Sequence, residues 1–255
     1  MSKRQNIRKA LILTTFLLFP ILIFYFSPYL IVIGALEGIV AGSMIIFTLL
    51  FVLSLVLGKS PCGYFCPVGG LQECLMLANS KKTKGGKLNY IKYCLWVPWI
   101  ISIVILFIRA GGFSKIDIFF HITNGVSLNE PFTYVIYYGI LLLVVIMALT
   151  FGKRAFCHYI CWIAPFMIIG AKIASWLKIP VLHIKADKTK CICCKKCSEK
   201  CPMSLDVKSM VENEKMENSE CILCGECIDI CHKKAIIYSL KANNGSKIRH
   251  KKDCV

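Results

Sequence analysis

The chain has 255 residues, 56% of them hydrophobic, and a mean hydropathy of +0.64, which is too apolar for a water-soluble domain of this length. Its 31 Lys and Arg outnumber 14 Asp and Glu, for a formal charge of +17. These basic residues stand mostly beside apolar runs, where they report membrane topology, so no nucleic-acid partner is expected.

In chain order, Lys3, Arg4, Arg8 and Lys9 precede an apolar stretch in which Glu37 is the only charged residue before Lys59. That stretch is too long for one span and predicts two, residues 10–26 and 30–57, joined at Ser27-Pro28. A cleaved signal peptide is not expected, because no small-residue cleavage site follows and a second span comes directly after. Residues 93–108, with Trp96 and Trp99 as interfacial rings, and 132–151 predict the third and fourth spans. Lys59, Lys81, Lys82, Lys84, Lys87 and Lys92 lie on the same side as the basic amino terminus, against Arg109 and Lys115 opposite, so both chain ends are expected in the cytoplasm of a prokaryotic cell. A fifth span over 155–179 would export the carboxyl end; Lys172 and Lys178 argue instead for an interfacial helix from Pro165.

The expected spans form a repeat over about 10–79 and 93–179. Each half has two spans, a basic stop, a C-x3-C and an interfacial helix: Cys62-Gly63-Tyr64-Phe65-Cys66-Pro67 in the first, Cys157-His158-Tyr159-Ile160-Cys161 in the second. An approximate twofold arrangement would bring Cys62, Cys66, Cys157 and Cys161 together. Three readings stay open for them: a third iron-sulfur centre, redox-active thiols, or helix-end packing. Glu37, the one carboxylate expected at membrane depth, is either a proton-handling group or a neutral acid bonded within the bundle, with Arg109 as a partner. None of the five histidines, at 121, 158, 183, 232 and 250, falls within an expected span, so no haem is predicted. Cys74, Cys94 and Cys254 have no matched spacing and read as small hydrophobes.

After Pro180 the text changes to short polar and apolar alternation. Cys191, Cys194, Cys197 and Cys201-Pro202, then Cys221, Cys224, Cys227 and Cys231, write C-x2-C-x2-C-x3-C twice. Three thiolates at this spacing reach one cubane while the fourth reaches the other. The expected ligand sets are therefore Cys191, Cys194, Cys197 and Cys231 for one 4Fe-4S cluster, and Cys221, Cys224, Cys227 and Cys201 for the second. A zinc ribbon needs two separated pairs, and thiols of cytoplasmic-type usage stay reduced, so neither zinc nor disulfides fit. Cys193, between two ligands, reads as a spare thiol. Strands at 181–185 and 235–240 and a helix at 205–212 complete the expected module.

Residues 181–240 resemble the bacterial two-cluster ferredoxins, with His232 where that family usually has Pro. The paired C-x3-C motifs together with this module resemble the NapH/NosR type of membrane ferredoxin, with Trp162 where the second motif would have Pro. That resemblance implies electron transfer between a membrane quinol pool and a cytoplasmic or complex-bound redox centre.

The expected architecture is an α-helical membrane bundle of four transmembrane and two interfacial helices over 1–180, a small α+β two-cluster domain over 181–240, and a basic disordered tail over 241–255 touching lipid heads. No nucleotide loop, flavin fingerprint or hydrolytic constellation is visible, so the chain reads as an electron-transfer component serving an unidentified redox enzyme or carrier. The alternative is a redox-sensing regulator or a maturation factor for a partner metalloenzyme.

Overall fold

The computed structural model describes residues 2–122 and 131–240; the expected basic tail lies outside them. In chain order its elements are α1 (Lys3–Leu17), α2 (Phe19–Leu22), α3 (Pro28–Leu36), β1 (Ile39–Ala41), α4 (Gly42–Leu57), α5 (Ser60–Tyr64), α6 (Pro67–Leu75), α7 (Ile91–Arg109), β2 (Lys115–Asp117), α8 (Pro131–Phe151), α9 (Ala155–Tyr159), α10 (Ile163–Trp176), β3 (His183–Ala186), α11 (Lys196–Lys200), α12 (Val207–Glu212), α13 (Glu226–Asp229) and β4 (Ile236–Ser239).

The first expected span begins earlier and ends sooner than its hydropathy indicates. Ser2 caps α1 by accepting the Gln5 amide at 3.3 Å, so the basic stretch is itself helical. At Leu18 the axis turns by 61° into α2, whose Pro20 cannot continue the earlier ladder. The second expected span is broken rather than continuous over 30–57. Glu37 is the last residue of the α3 turn, Gly38 follows at φ 68° in the left-handed conformation that ends helices, and β1 intervenes before α4. β1 pairs in parallel with β2, Ile39 opposite Lys115.

Two described helices are long and apolar enough to cross a membrane, Gly86–Arg109 and Thr133–Phe151, and a third if the bent pair Lys3–Leu17 and Phe19–Phe26 is one span. Among the described residues a fourth helix of that length is not seen: α4, at 16 residues, reaches about 24 Å against a hydrocarbon core of about 30 Å. Ile101, Val104 and Ile108 of α7 and Val135, Leu142 and Ile146 of α8 remain exposed, a surface suited to lipid.

The two halves pack reciprocally. α10 of the second lies on α4 of the first, and α6 of the first lies on α8 of the second. The α4–α10 contact depends on Gly170, where an added Cβ would stand 1.9 Å from the Ser54 hydroxyl. This exchange sets α5 and α9, with their C-x3-C motifs, beside each other.

The carboxyl-terminal module closes with β3 antiparallel to β4, His183 opposite Ser239 and Ala186 opposite Ile236. Asp206 caps α12 by accepting the Ser209 amide at 3.3 Å. Its small core of Ile184, Met203, Val207, Val211, Ile222 and Ile236 also takes Cys62 and Cys157 of the bundle against it, so module and bundle share one packed junction.

Candidate iron-sulfur sites

The two module loops have the same backbone. Cys193 and Lys195 sit at φ 55° and 61°, and Leu223 and Gly225 at φ 51° and 76°, the third and fifth positions of each C-x2-C-x2-C. Left-handed residues alternating with ordinary ones turn successive amides toward one concavity, which favours an anion. Each loop then enters a short helix, α11 carrying Cys197 toward Cys201 and α13 carrying Cys227 toward Cys231. As a result one cavity is lined by Cys191, Cys194, Cys197 and Cys231, and a second by Cys201, Cys221, Cys224 and Cys227. Each of the two cavities is thus lined by four of the eight motif cysteines, with Cys193 also lining the first.

A third cavity is lined by Cys62, Cys66, Cys157 and Cys161. Met203 and Ile222 line both this cavity and the one holding Cys221, so two side chains form the wall between them. The approach needs Gly63, where a Cβ would stand 2.7 Å from the Ile222 carbonyl oxygen. Gln72, fully buried on α6, accepts the Phe156 amide at 3.1 Å and directs its Nε2 to Cys157 Sγ at 3.2 Å, fixing the start of α9. His158 donates from Nε2 to the Met203 carbonyl at 3.1 Å, and its Nδ1 lies 3.0 Å from the Asn89 side chain. Burial brings its pKa down to about 4, so it is neutral at pH 7 and acts as a tether for the shared wall.

Charged side chains surround this junction. Glu73 receives Arg8 at 2.7 Å and Arg154 at 2.5 Å, both guanidinium groups being fully buried. Arg154 also donates to the Cys62 carbonyl at 3.2 Å, and Arg8 to the Gly63 carbonyl at 3.2 Å. Burial works against both ionised forms, yet the two arginines hold Glu73 below the usual carboxylate range and Glu73 keeps Arg154 charged. Across the junction, Glu220, which precedes Cys221, receives Lys92 at 2.5 Å and Lys59 at 3.5 Å. The first helix also reaches the module: Gln5 donates to the Cys224 carbonyl at 3.0 Å and to Asp229 at 2.6 Å, and Arg8 pairs with Glu226 at 3.1 Å.

The donor chemistry fits 4Fe-4S clusters. Among the described residues, the carboxylates paired with Arg8, Arg154, Lys59 and Lys92 are Glu73, Glu220 and Glu226, and Arg154 Nε is buried without a hydrogen-bond partner. A buried positive excess is costly unless an anion offsets it, and cysteinyl clusters are anionic. In the protein alone, burial pushes Cys62 and Cys221 up to about 11, and Cys161 and Cys224 up to about 12. These thiols are therefore protonated near neutrality until a metal displaces the proton. Cluster-free protein at pH 8 is expected to alkylate at Cys62 and Cys161 at least about 100-fold more slowly than at exposed Cys194 of the module, the gap narrowing as pH rises toward 11; equal rates at pH 8, read by mass spectrometry, would refute that burial.

Glu37 stands apart from the cysteine cavities. It lies exposed at the end of α3, outside the helix interior, and makes no ion pair with Arg109 among the described residues. Gln5, Arg8, Gln72 and Glu220 carry the junction without any sequence motif; the one available signal was that Gln5 and Arg8 share a helical face.

A family description of a 4Fe-4S binding domain matches residues 39–85 and again 133–180, and one of a 4Fe-4S dicluster domain matches 183–232. The chain thus carries ferredoxin-type 4Fe-4S binding domains, joined to a mostly helical, apolar amino-terminal part. Among relatives, it is 26% identical to the uncharacterized protein MJ0749 of Methanocaldococcus jannaschii, over 83% of this chain and 80% of that protein. It is 28% identical to MJ0750 of the same organism, over 70% and 73%. It is also 24% identical to YccM of Escherichia coli, which carries electron transport in its name, over 74% of this chain and 54% of that protein. No solved structure matches the chain.

Proposed function

We propose that this protein is an integral membrane electron carrier. In it Cys191, Cys194, Cys197 and Cys231 hold one 4Fe-4S cluster, Cys201, Cys221, Cys224 and Cys227 a second, and Cys62, Cys66, Cys157 and Cys161 a third iron-sulfur centre at the membrane side. It would pass electrons between a lipid-borne quinone pool and a redox enzyme or carrier, with the module in the cytoplasm. The observation that carries this reading is the run of three four-cysteine cavities from bundle to module, the first two sharing the Met203 and Ile222 wall.

Bound clusters would supply one-electron redox chemistry. The chain's residues do the rest. Met203 and Ile222, 1% and 2% exposed, keep water from the passage, and Gln72 and His158 fix the loops on the membrane side. The Arg8–Glu73–Arg154 group places positive charge where added electrons would reside. Helix α1 and the Lys59–Glu220–Lys92 group hold the module at the bundle. The cytoplasmic side is favoured by Lys81, Lys82, Lys84 and Lys87 in the segment beside the module.

The test is electron exchange in lipid nanodiscs under anaerobic conditions. Dithionite-reduced protein is expected to regain its oxidised visible spectrum on addition of a short-chain quinone, or oxidised protein to bleach with the quinol. Normal cluster content with neither exchange would favour the regulator or maturation reading.

A further inference from the structure

The break in the first helix leaves a cavity against Cys66, Cys157 and Cys161. Where the chain turns by 61° into α2, Phe19, Ile23 and Phe24 leave the α1 axis, and space opens between them and Ile136, Ile140 and Leu143 of α8. The cavity measures about 180 Å³, and its inner wall contains Cys66, Cys157 and Cys161. Tyr29 and Leu143 on its edge are 50% and 41% exposed, on the flank where α8 turns apolar residues outward.

We infer that this cavity binds the head ring of a quinone entering from the lipid. The inference rests on the electron-transfer reading above and assigns it a substrate site. None of the lining residues is charged, so an ionic ligand would lose its hydration without compensation. The rings of Phe19, Phe24, Phe156 and Trp162 suit a flat ligand. The polar groups besides sulfur are the hydroxyls of Ser27 and Tyr29 and the indole N–H of Trp162, each able to donate to a ring carbonyl oxygen. A lipid acyl chain would leave those donors unused. The volume takes a ring and leaves an isoprenoid tail in the bilayer. A ring seated there stands against three of the four cysteines of the proposed third centre, the position a lipid-borne electron donor or acceptor requires.

The test uses the full chain in nanodiscs with a short-tailed, ring-azido quinone. Photolabelling is expected within residues 19–29 and 136–143, competed by unlabelled quinone but not by its tail alcohol. Leu143→Trp, at the lipid-exposed edge, is expected to weaken binding at least 10-fold with iron content and dithionite-reduced spectrum unchanged. Labelling elsewhere, equal competition by the tail alcohol, which marks an acyl-chain groove, or unaltered binding in Leu143→Trp would each overturn the assignment. Labelling at these residues in wild-type protein that lacks iron at the third centre would uphold the cavity and refute the electron path, so the two failures are distinct.

Discussion

Glu73→Ala is expected to be the most destabilising single substitution at the junction, by about 3–5 kcal/mol. Glu73 is the carboxylate between two fully buried guanidinium groups, and its loss leaves Arg154 with the Cys62 carbonyl and no carboxylate. Arg8 keeps Glu226, whose side chain is 18% exposed, so the larger part of the loss falls on Arg154. The cost follows from an uncompensated buried charge, not from the worth of the pair itself; Arg154→Met combined with Glu73→Ala should therefore recover part of it. Thermal unfolding of the reconstituted protein measures both. A Glu73→Ala protein as stable as the parent would show that water reaches the site and that the arginines are not enclosed.

The second large effect is expected at Glu220, on the module side. Glu220→Ala removes the carboxylate shared by Lys92, which is 1% exposed, and Lys59, which also donates to the Ser219 carbonyl at 2.8 Å. Two buried ammonium groups then face each other with no carboxylate between them, and the cheapest relief is for the module to lift and admit water. Amide exchange at 219–224 and 59–63 should accelerate by two to three orders of magnitude, the equivalent of about 3–4 kcal/mol of local opening. Exchange within β3 and β4 should stay unchanged, because their ladder does not involve Glu220. Acceleration throughout the module would mean instead that Glu220 supports the module's own fold.

The cysteine groups are legible in the text because ligand spacing is local: two residues between thiolates define a turn, and a repeated C-x3-C after two similar apolar stretches defines a twofold pair. What the text did not disclose is how the halves interlock. The break at Glu37-Gly38 is signalled only by one charge and one glycine inside an otherwise continuous apolar run, and hydropathy averages over both. The early end of α1 has the same origin, since Phe19, Ile21 and Leu22 are as apolar as the residues before Leu18. The basic residues have a second role that the text does not disclose. Beside an apolar run, Arg8, Lys59 and Lys92 read as markers of the membrane's inner face, yet each is buried against a carboxylate distant in sequence. Charge pairing across 65 to 218 residues has no periodicity to detect. Gln72 is likewise invisible until α6 is set against α9.

Iron and acid-labile sulfide counted per chain, in anaerobically purified protein and in its Cys62→Ser/Cys157→Ser variant, test the central claim most directly. Three centres predict about 12 irons in the parent and about 8 in the variant, with the module's own cluster spectra retained. About 8 in both would remove the membrane-side centre and leave the four-cysteine cavity without its proposed role.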